Sequence, residues 1–385
     1  MGILYTSIVR PALFRMDPEV VHTMTLRACG VAGRIPLVRA IMRSRLKVAD
    51  PRLRQSIAGL TFETPIGLAA GFDKNGAALE LLGLLGFGHV EIGSISAHPS
   101  RGNSRPRLFR IPQDQGIVVY YGVPNIGADA VAAGISHDRC AVPLGINLVK
   151  TNDPNRPATD EEVLGDYMTA FKTLQPFADY VTLNMSCPNS ANDRNYFDDL
   201  SKIEVLLQAL AKIPPKVPVF LKLKPTLHRE LLREIVAVTD GFDFVAGFGI
   251  NLPAGKPAEL QLKMSRLILE KLPGAVSGPP VEALINANLK LLYEVIGPES
   301  RYRLFAAGGV SSGQAAYRKI RLGASLVQIY TAMVYQGPGI VRRISRDLVE
   351  LLSRDDFANV REAVGVDVTG AKISPLNNGK GVHHG

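Results

Sequence analysis

Two lysines stand where lysine is costly. Lys222 lies inside the apolar run VFLKLKP (219–225), and Lys74 follows PIGLAAG (65–71) in AGFDKNG. A buried ammonium without a partner is strongly disfavoured, so Lys222 must reach either a partner or the rim of a cavity. Amides end similar runs. Asn147 lies toward the end of PLGINLV (143–149), and Asn184 sits in YVTLNMS (180–186), which continues into Cys187, Pro188 and Asn189 after Ser186. Thus one of only three cysteines stands at a run end. Small residues mark two further runs: one ends in Ala306-Ala307-Gly308-Gly309, and the other is preceded by Gly323-Ala324-Ser325 and closes with Tyr330-Thr331. Glycine loops expose backbone N–H groups, which is what a phosphate group needs. Each pair alone is merely a turn; together they suggest a phosphorylated cofactor.

These residues need elements that bring them together. Eight short apolar runs recur from residue 65 onward, at 65–71, 89–95, 143–149, 180–186, 219–225, 242–249, 303–309 and 326–331, with helical stretches between them. Near-continuous apolar runs alternating with helices imply parallel strands buried on both faces. Eight such units predict an α/β fold, a (β/α)8 TIM barrel, in which chemistry sits at the C-terminal ends of the strands. The competing doubly wound open sheet is disfavoured because no GxGxxG follows the first run. Ahead of the barrel, MDPEVVHTMTLRACG predicts a helix with Asp17 as N-cap, Pro18 at the first helical position and Gly30 as its stop. RIPLVRAIMRSRL predicts a second, basic amphipathic segment, and LRQSIAGLTFETPIG strand-like stretches about a turn. The expected division is a helical segment over 1–55, the barrel over 56–365 and a disordered tail over 366–385.

The composition excludes several classes. Of 385 residues 46% are hydrophobic, enough for a substantial core, and the 36 glycines and 26 prolines are not periodic. Three widely spaced cysteines and no cleavable signal point to reduced thiols in a cytosolic compartment. The absence of CxxC and HExxH leaves no metal site to expect. Net charge is +9, and the first 55 residues carry ten basic side chains against three acidic ones. No recognised nucleic-acid module accompanies this charge, so no nucleic-acid partner is expected. ILYTSIVRPALFRM sets large apolar residues beside arginines, which suits a membrane surface, although no run is long enough to span one.

Two amides, two lysines and a phosphate cradle meet the demands of flavin mononucleotide (FMN), whose ring has polar edges and gains negative charge on reduction. The motifs GLAAGFDKNG, GFGHVEIGSIS, RPRLFR, LGINL, LNMSCPN, SGPPV, AAGGVSSG and GASLVQIYTAMVYQGP resemble, in order, those of dihydroorotate dehydrogenases, over about Tyr5 to Arg346. VRPALFRMDPEVVHTMTL resembles the class 2, membrane-associated, quinone-linked branch. The resemblance implies an FMN cradle of Ala70, Gly71, Lys74, Ser94, Asn147, Asn184, Lys222, Gly278, Gly309, Tyr330 and Thr331. It implies substrate contacts from Lys74, Asn184 and Asn189, and a place for Arg110 between flavin and quinone. It also implies N-terminal helices forming an apolar funnel for a lipid quinone, and a peripheral position on the cytoplasmic face of a bacterial inner membrane.

Cys187 falls where this family keeps its catalytic base, which removes a proton from C5 of dihydroorotate while hydride passes from C6 to flavin N5. A free thiol, with a pKa of about 8.5, suits that role near neutral pH. The chain departs from the family pattern in four places. Class 2 members usually carry serine at position 187. Val119 replaces an asparagine that contacts the orotate ring. Phe248-Gly249-Ile250 replaces Thr-Asn-Thr, with Asn251 two places from the expected amide. SANDRNYFDD lacks the usual Gly-Leu-Arg lid. Val119, Phe248 and Ile250 are therefore expected to make the pocket less polar. That leaves open a paralogue acting on a less polar substrate, or a flavin-binding protein without catalysis.

Overall fold

The computed structural model describes residues 4–135, 140–153, 155–186 and 195–370. Eight parallel strands close a barrel in chain order: β1 Ile66–Leu68, β2 His89–Ile95, β3 Leu144–Leu148, β4 Tyr180–Asn184, β5 Val219–Leu223, β6 Val245–Ile250, β7 Arg303–Ala306 and β8 Ala324–Ile329, with β8 pairing back onto β1. Every one of the eight apolar runs supplies a strand. Helices between the strands bury their apolar faces against the barrel in one continuous core.

The floor of the barrel is closed by aromatic packing. An antiparallel hairpin, Gln55–Ile57 with Leu60–Phe62, turns at Ala58 and Gly59 and places Ile57 and Phe62 against Tyr180, Phe220, Phe305 and Leu326. The rings of Phe220 and Phe305 stack with centroids 4.3 Å apart. With this end filled, the barrel opens at its C-terminal mouth. There a three-stranded antiparallel sheet, Leu108–Ile111, Gly116–Val119 and Ala275–Ser277, supplies lining residues.

Two helices precede the barrel, α1 Pro18–Gly33 and α2 Pro36–Leu46. Asp17 caps α1 as its sequence predicts, its Oδ1 accepting from the N–H groups of Glu19 and Val20 at 2.9 Å each. Gly30 does not end the helix, which runs on to Gly33. A Cβ at Gly30 would come within 2.5 Å of the Ala77 carbonyl oxygen, so glycine there lets α1 lie directly on the loop that follows β1. Glu19 anchors the other end of α1, pairing with Arg107 at 2.7 Å and Arg105 at 3.1 Å. At the far terminus Val366–Thr369 is helical and Val366 is buried, so the expected disorder does not begin at 366.

Candidate active site

Two adjoining cavities, of about 880 and 620 Å3, open at the C-terminal mouth. The larger is lined by glycine-rich strand ends and by Gly278, Gly309, Tyr330 and Thr331; the smaller by Lys74, Ser94 and Asn184. Ala70, Gly71 and Lys222 line both. Asn147 stands behind the smaller cavity, completely buried.

The polar residues form one connected rail. Glu91, in the middle of β2 and 1% exposed, is its root. Its Oε1 accepts from Asn147 Nδ2 at 2.9 Å and lies 3.6 Å from Lys222 Nζ. Its Oε2 accepts from Gln328 Nε2 at 2.9 Å, Thr182 Oγ1 at 3.2 Å and Tyr180 OH at 3.3 Å. Ser94 Oγ donates to Asn147 Oδ1, and Asn184 Nδ2 donates to Ser94 Oγ at 3.1 Å. Asn251 Nδ2 completes the rail, donating to Asn184 Oδ1 at 2.9 Å and to the Ser186 carbonyl at 2.5 Å. Amides held at both ends present fixed donors and acceptors to a ligand, with little reorganisation on binding.

Lys74 is presented by a rigid turn. Asp73, fully buried, accepts from the N–H groups of Asn75, Ala77 and Ala78. Lys74 Nζ then lies 4.0 Å from the Tyr121 ring centroid and 3.4 Å from His22 Nε2, which arrives from α1. Burial lowers the Lys74 ammonium to about 8, against the opposing pull of Asp73 and Glu19. Burial, reinforced by the Lys74 charge, lowers the His22 imidazole to about 3, so it is neutral at ordinary pH.

Glu91, Gln328, His22 and Tyr121 join the site beyond the residues its sequence leads one to expect, and Asn251, two places from the expected amide, lines both cavities. The place of Lys222 in a strand demands a charged partner, and of the other apolar runs only HVEIGSI and FDFVAGFG hold an acid, Glu91 and Asp243. Nothing local in the sequence marks His22, which reaches the mouth only through the packing of α1. Asn251 owes its place to a bulge. β6 pairs Val245 with Val219 but Gly247 with Phe220, so Ala246 is an extra residue that reverses the facing of the residues after it. Phe248 is in consequence turned away from the cavities, fully buried against Tyr302 with ring centroids 5.0 Å apart. The expectation that Phe248 enters the pocket is thereby corrected. Val119 and Ile250 do line it. Arg110 is not among the lining residues. Its guanidinium donates to the Met16 carbonyl at 2.9 Å and the Phe14 carbonyl at 3.3 Å, and lies 4.5 Å from the Phe14 ring centroid. Cys187 and Asn189 lie outside the described residues.

The model of the dihydroorotate dehydrogenase family matches residues 52–352. The chain belongs to the dihydroorotate dehydrogenase family. Relatives called dihydroorotate dehydrogenase (quinone) place it in the quinone-linked branch. One, from Natronomonas pharaonis, is 36% identical over 363 residues, covering 94% of this chain and 99% of the relative. Another, from Anaeromyxobacter sp. strain Fw109-5, is 38% identical over 376 residues, covering 94% and 98%. The ferulenol complex of DHODH from Eimeria tenella superposes with a TM-score of 0.78 at 29% identity, covering 91% of this chain and 96% of that one. The ligand-free Eimeria enzyme gives 0.79 at 29%, covering 91% and 99%. These relatives do not favour the reading of a non-catalytic flavin protein or of a paralogue with another substrate.

Dihydroorotate dehydrogenases are flavin-dependent oxidoreductases, and the residues of this chain fit a flavin. Gly278 and Gly309 hold φ of +103° and +80°, and a Cβ on Gly309 would lie 2.4 Å from Glu282 Cβ. At Gly309 only glycine combines this left-handed backbone with such close packing on Glu282, which fixes that wall of the larger cavity. Tyr121 lines both cavities, and its Oη is buried without a hydrogen-bond partner among the described residues. An orphaned hydroxyl of this kind costs free energy that a polar ligand would recover.

Proposed function

We propose that the chain oxidises dihydroorotate to orotate with FMN as its cofactor and delivers the electrons to a membrane quinone, a step of pyrimidine biosynthesis. The observation that carries this reading is the convergence of both lysines, the glycine walls and the amide rail on two adjoining cavities. Two spaces sharing one wall suit a cofactor and a flat substrate in contact.

In this reading the backbones of Gly278 and Gly309, with Tyr330 and Thr331, hold the FMN phosphate. Ser277 Oγ lies 3.0 Å from Thr331 Oγ1 and steadies it. Ala70, Gly71, Ser94 and Lys222 face the ring, Asn147 supports it from behind through Ser94, and Lys74 and Asn184 serve both ring and substrate. When bound, the flavin supplies two-electron redox chemistry between substrate and quinone. The ammonium groups of Lys74 and Lys222 favour negative charge at the polar edge of the ring. Asn184 and Asn189 orient the substrate, and Cys187 takes the proton from C5. With burial holding His22 neutral, Lys74 is the cation at that side of the mouth.

Residues 1–55 form the quinone-access and membrane-contact segment, 56–365 the catalytic barrel. Exposed Leu4, Ile8, Met16, Val20, Met24, Val31, Ile35, Leu37 and Ile41 support this division. Phe14 joins Leu108, Ile117, Tyr121 and Tyr335 in an apolar cluster beside the larger cavity, a path suited to a lipid quinone, with Arg110 fixed against its first turn. Among the described residues no helix is long and apolar enough to cross a membrane. The basic excess of this segment favours the anionic cytoplasmic leaflet.

Turnover of dihydroorotate with a ubiquinone analogue by the flavin-loaded protein tests the reading. Activity is expected, and deletion of residues 1–55 should abolish quinone reduction while sparing flavin. A fully flavin-loaded chain inert toward dihydroorotate would overturn it.

A further inference from the structure

We propose that the groove between the C-terminal end of α2 and the helix α3, Ile340–Arg354, binds the phosphate headgroup of an anionic phospholipid. The proposal rests on the membrane-facing role given above to residues 1–55 and adds a headgroup site outside that segment. Arg45 of α2 and Arg342, Arg343 and Arg346 of α3 line this groove, with Gly339 at the start of α3 and Leu46. Arg342 and Arg346 are four residues apart and share one face of α3. Among the described residues neither they nor Arg45 meets an acidic partner. Arg343 donates to Gln336. Two acids also line the groove. Asp347 is turned aside, accepting from the Gly313 N–H at 3.3 Å; Glu350 lies one turn beyond Arg346. Four guanidinium groups against two carboxylates leave a net positive groove.

Its surroundings say which anion it meets. Leu37, Ile41 and Arg45 follow one another at four-residue intervals, so an exposed apolar stripe on α2 runs into the groove. Two residues ahead of Gly339, Tyr5 packs on Gly337, where a Cβ would come within 2.6 Å of Tyr5 Cγ, and its hydroxyl donates to the Val334 carbonyl at 2.8 Å. Exposed Leu4 and Ile8 lie beside it in the chain. Clustered arginines continued by a stripe of bare apolar side chains match a phospholipid, head and tail together. A nucleic acid would satisfy the arginines and leave the apolar residues unexplained.

The test uses the full flavin-loaded chain, sedimented with phosphatidylcholine vesicles with or without phosphatidylglycerol. Wild type should bind the anionic vesicles more tightly. R342Q/R346Q should lose about 25-fold of that binding, from roughly fivefold per arginine at an anionic surface. Its binding to neutral vesicles and its reduction of a short-chain soluble quinone should be unchanged. R342K/R346K, which keeps the charge, should retain most of the gain. The proposal is overturned if wild type binds both vesicles equally, if the glutamine variant binds anionic vesicles like wild type, or if the lysine variant loses as much as the glutamine one. Failure of wild type to bind either vesicle would sink the membrane role of residues 1–55 as well, which separates the two readings.

Discussion

Lys222 Nζ and Glu91 Oε1 face each other at 3.6 Å inside the barrel, on strands β5 and β2 that are not neighbours. The pair spans the barrel interior beneath the cavities, and three further side chains donate to the same carboxylate on its other oxygen. The carboxylate therefore holds in place both the ammonium and, through Asn147, the amide rail.

Removing it should be severe. Glu91→Ala leaves the Lys222 ammonium buried without its counter-charge, at a cost of about 3–5 kcal/mol. Urea denaturation should show a midpoint well below wild type with flavin binding weakened. An unchanged midpoint would mean that the carboxylate is not what holds this interior together.

The anchor of α1 makes a second case. Arg107 is 6% exposed and bonds both Glu19 oxygens, besides the carbonyls of Arg101 and Asn103. Glu19→Ala should destabilise the chain by about 3 kcal/mol, since it strands a buried guanidinium. It should also raise the susceptibility of α1 to limited proteolysis while the barrel stays folded. Proteolysis of α1 at the wild-type rate would contradict this.

Acid stability should carry the signature of His22. Its imidazole is held near 3 in the folded chain, against 6.5 when free. Between those values the unfolded chain binds the extra proton, so stability is full above about 6.5 and falls as pH drops toward 3. In His22→Phe the dependence of Tm on pH over this window should be flatter than in wild type. Parallel curves would show that His22 titrates normally.

Asn251 should matter for substrate more than for cofactor. Asn251→Ala removes the donor that fixes Asn184 Oδ1, and the unmade hydrogen bond is worth about 1–3 kcal/mol. Orotate, titrated against the flavin absorbance, should bind roughly tenfold or more weakly, with flavin content unchanged. Equal orotate affinity would remove Asn251 from the substrate wall.

Much of this is legible in the sequence because barrel strands leave a coarse signal. Eight apolar runs ending in small polar residues mark eight strands, and the N-cap at Asp17 is local chemistry. The sheet over the mouth leaves no such mark: LFRI and GIVV are four residues each and lack the interleaved helices that give the barrel away. Position 248 fails for a different reason. A one-residue bulge at Ala246 reverses which side chains face inward, and ungapped counting along a strand cannot register it. Gly30 reads as a stop because a glycine that ends a helix and one that lets a helix touch a backbone look alike in one dimension. His22 and Glu91 become functional candidates only once packing sets them beside the two lysines.

The central claim is that Cys187 draws the proton from dihydroorotate beside a flavin held by Lys74 and Lys222. The most direct measurement is anaerobic mixing of the flavin-loaded protein with dihydroorotate, following the loss of flavin absorbance. Wild type should bleach rapidly, and Cys187→Ala should bleach about 10²–10⁴-fold more slowly at equal substrate affinity, the usual range for loss of a general base. Bleaching at the wild-type rate in Cys187→Ala, or none in wild type with the flavin fully bound, would contradict the account.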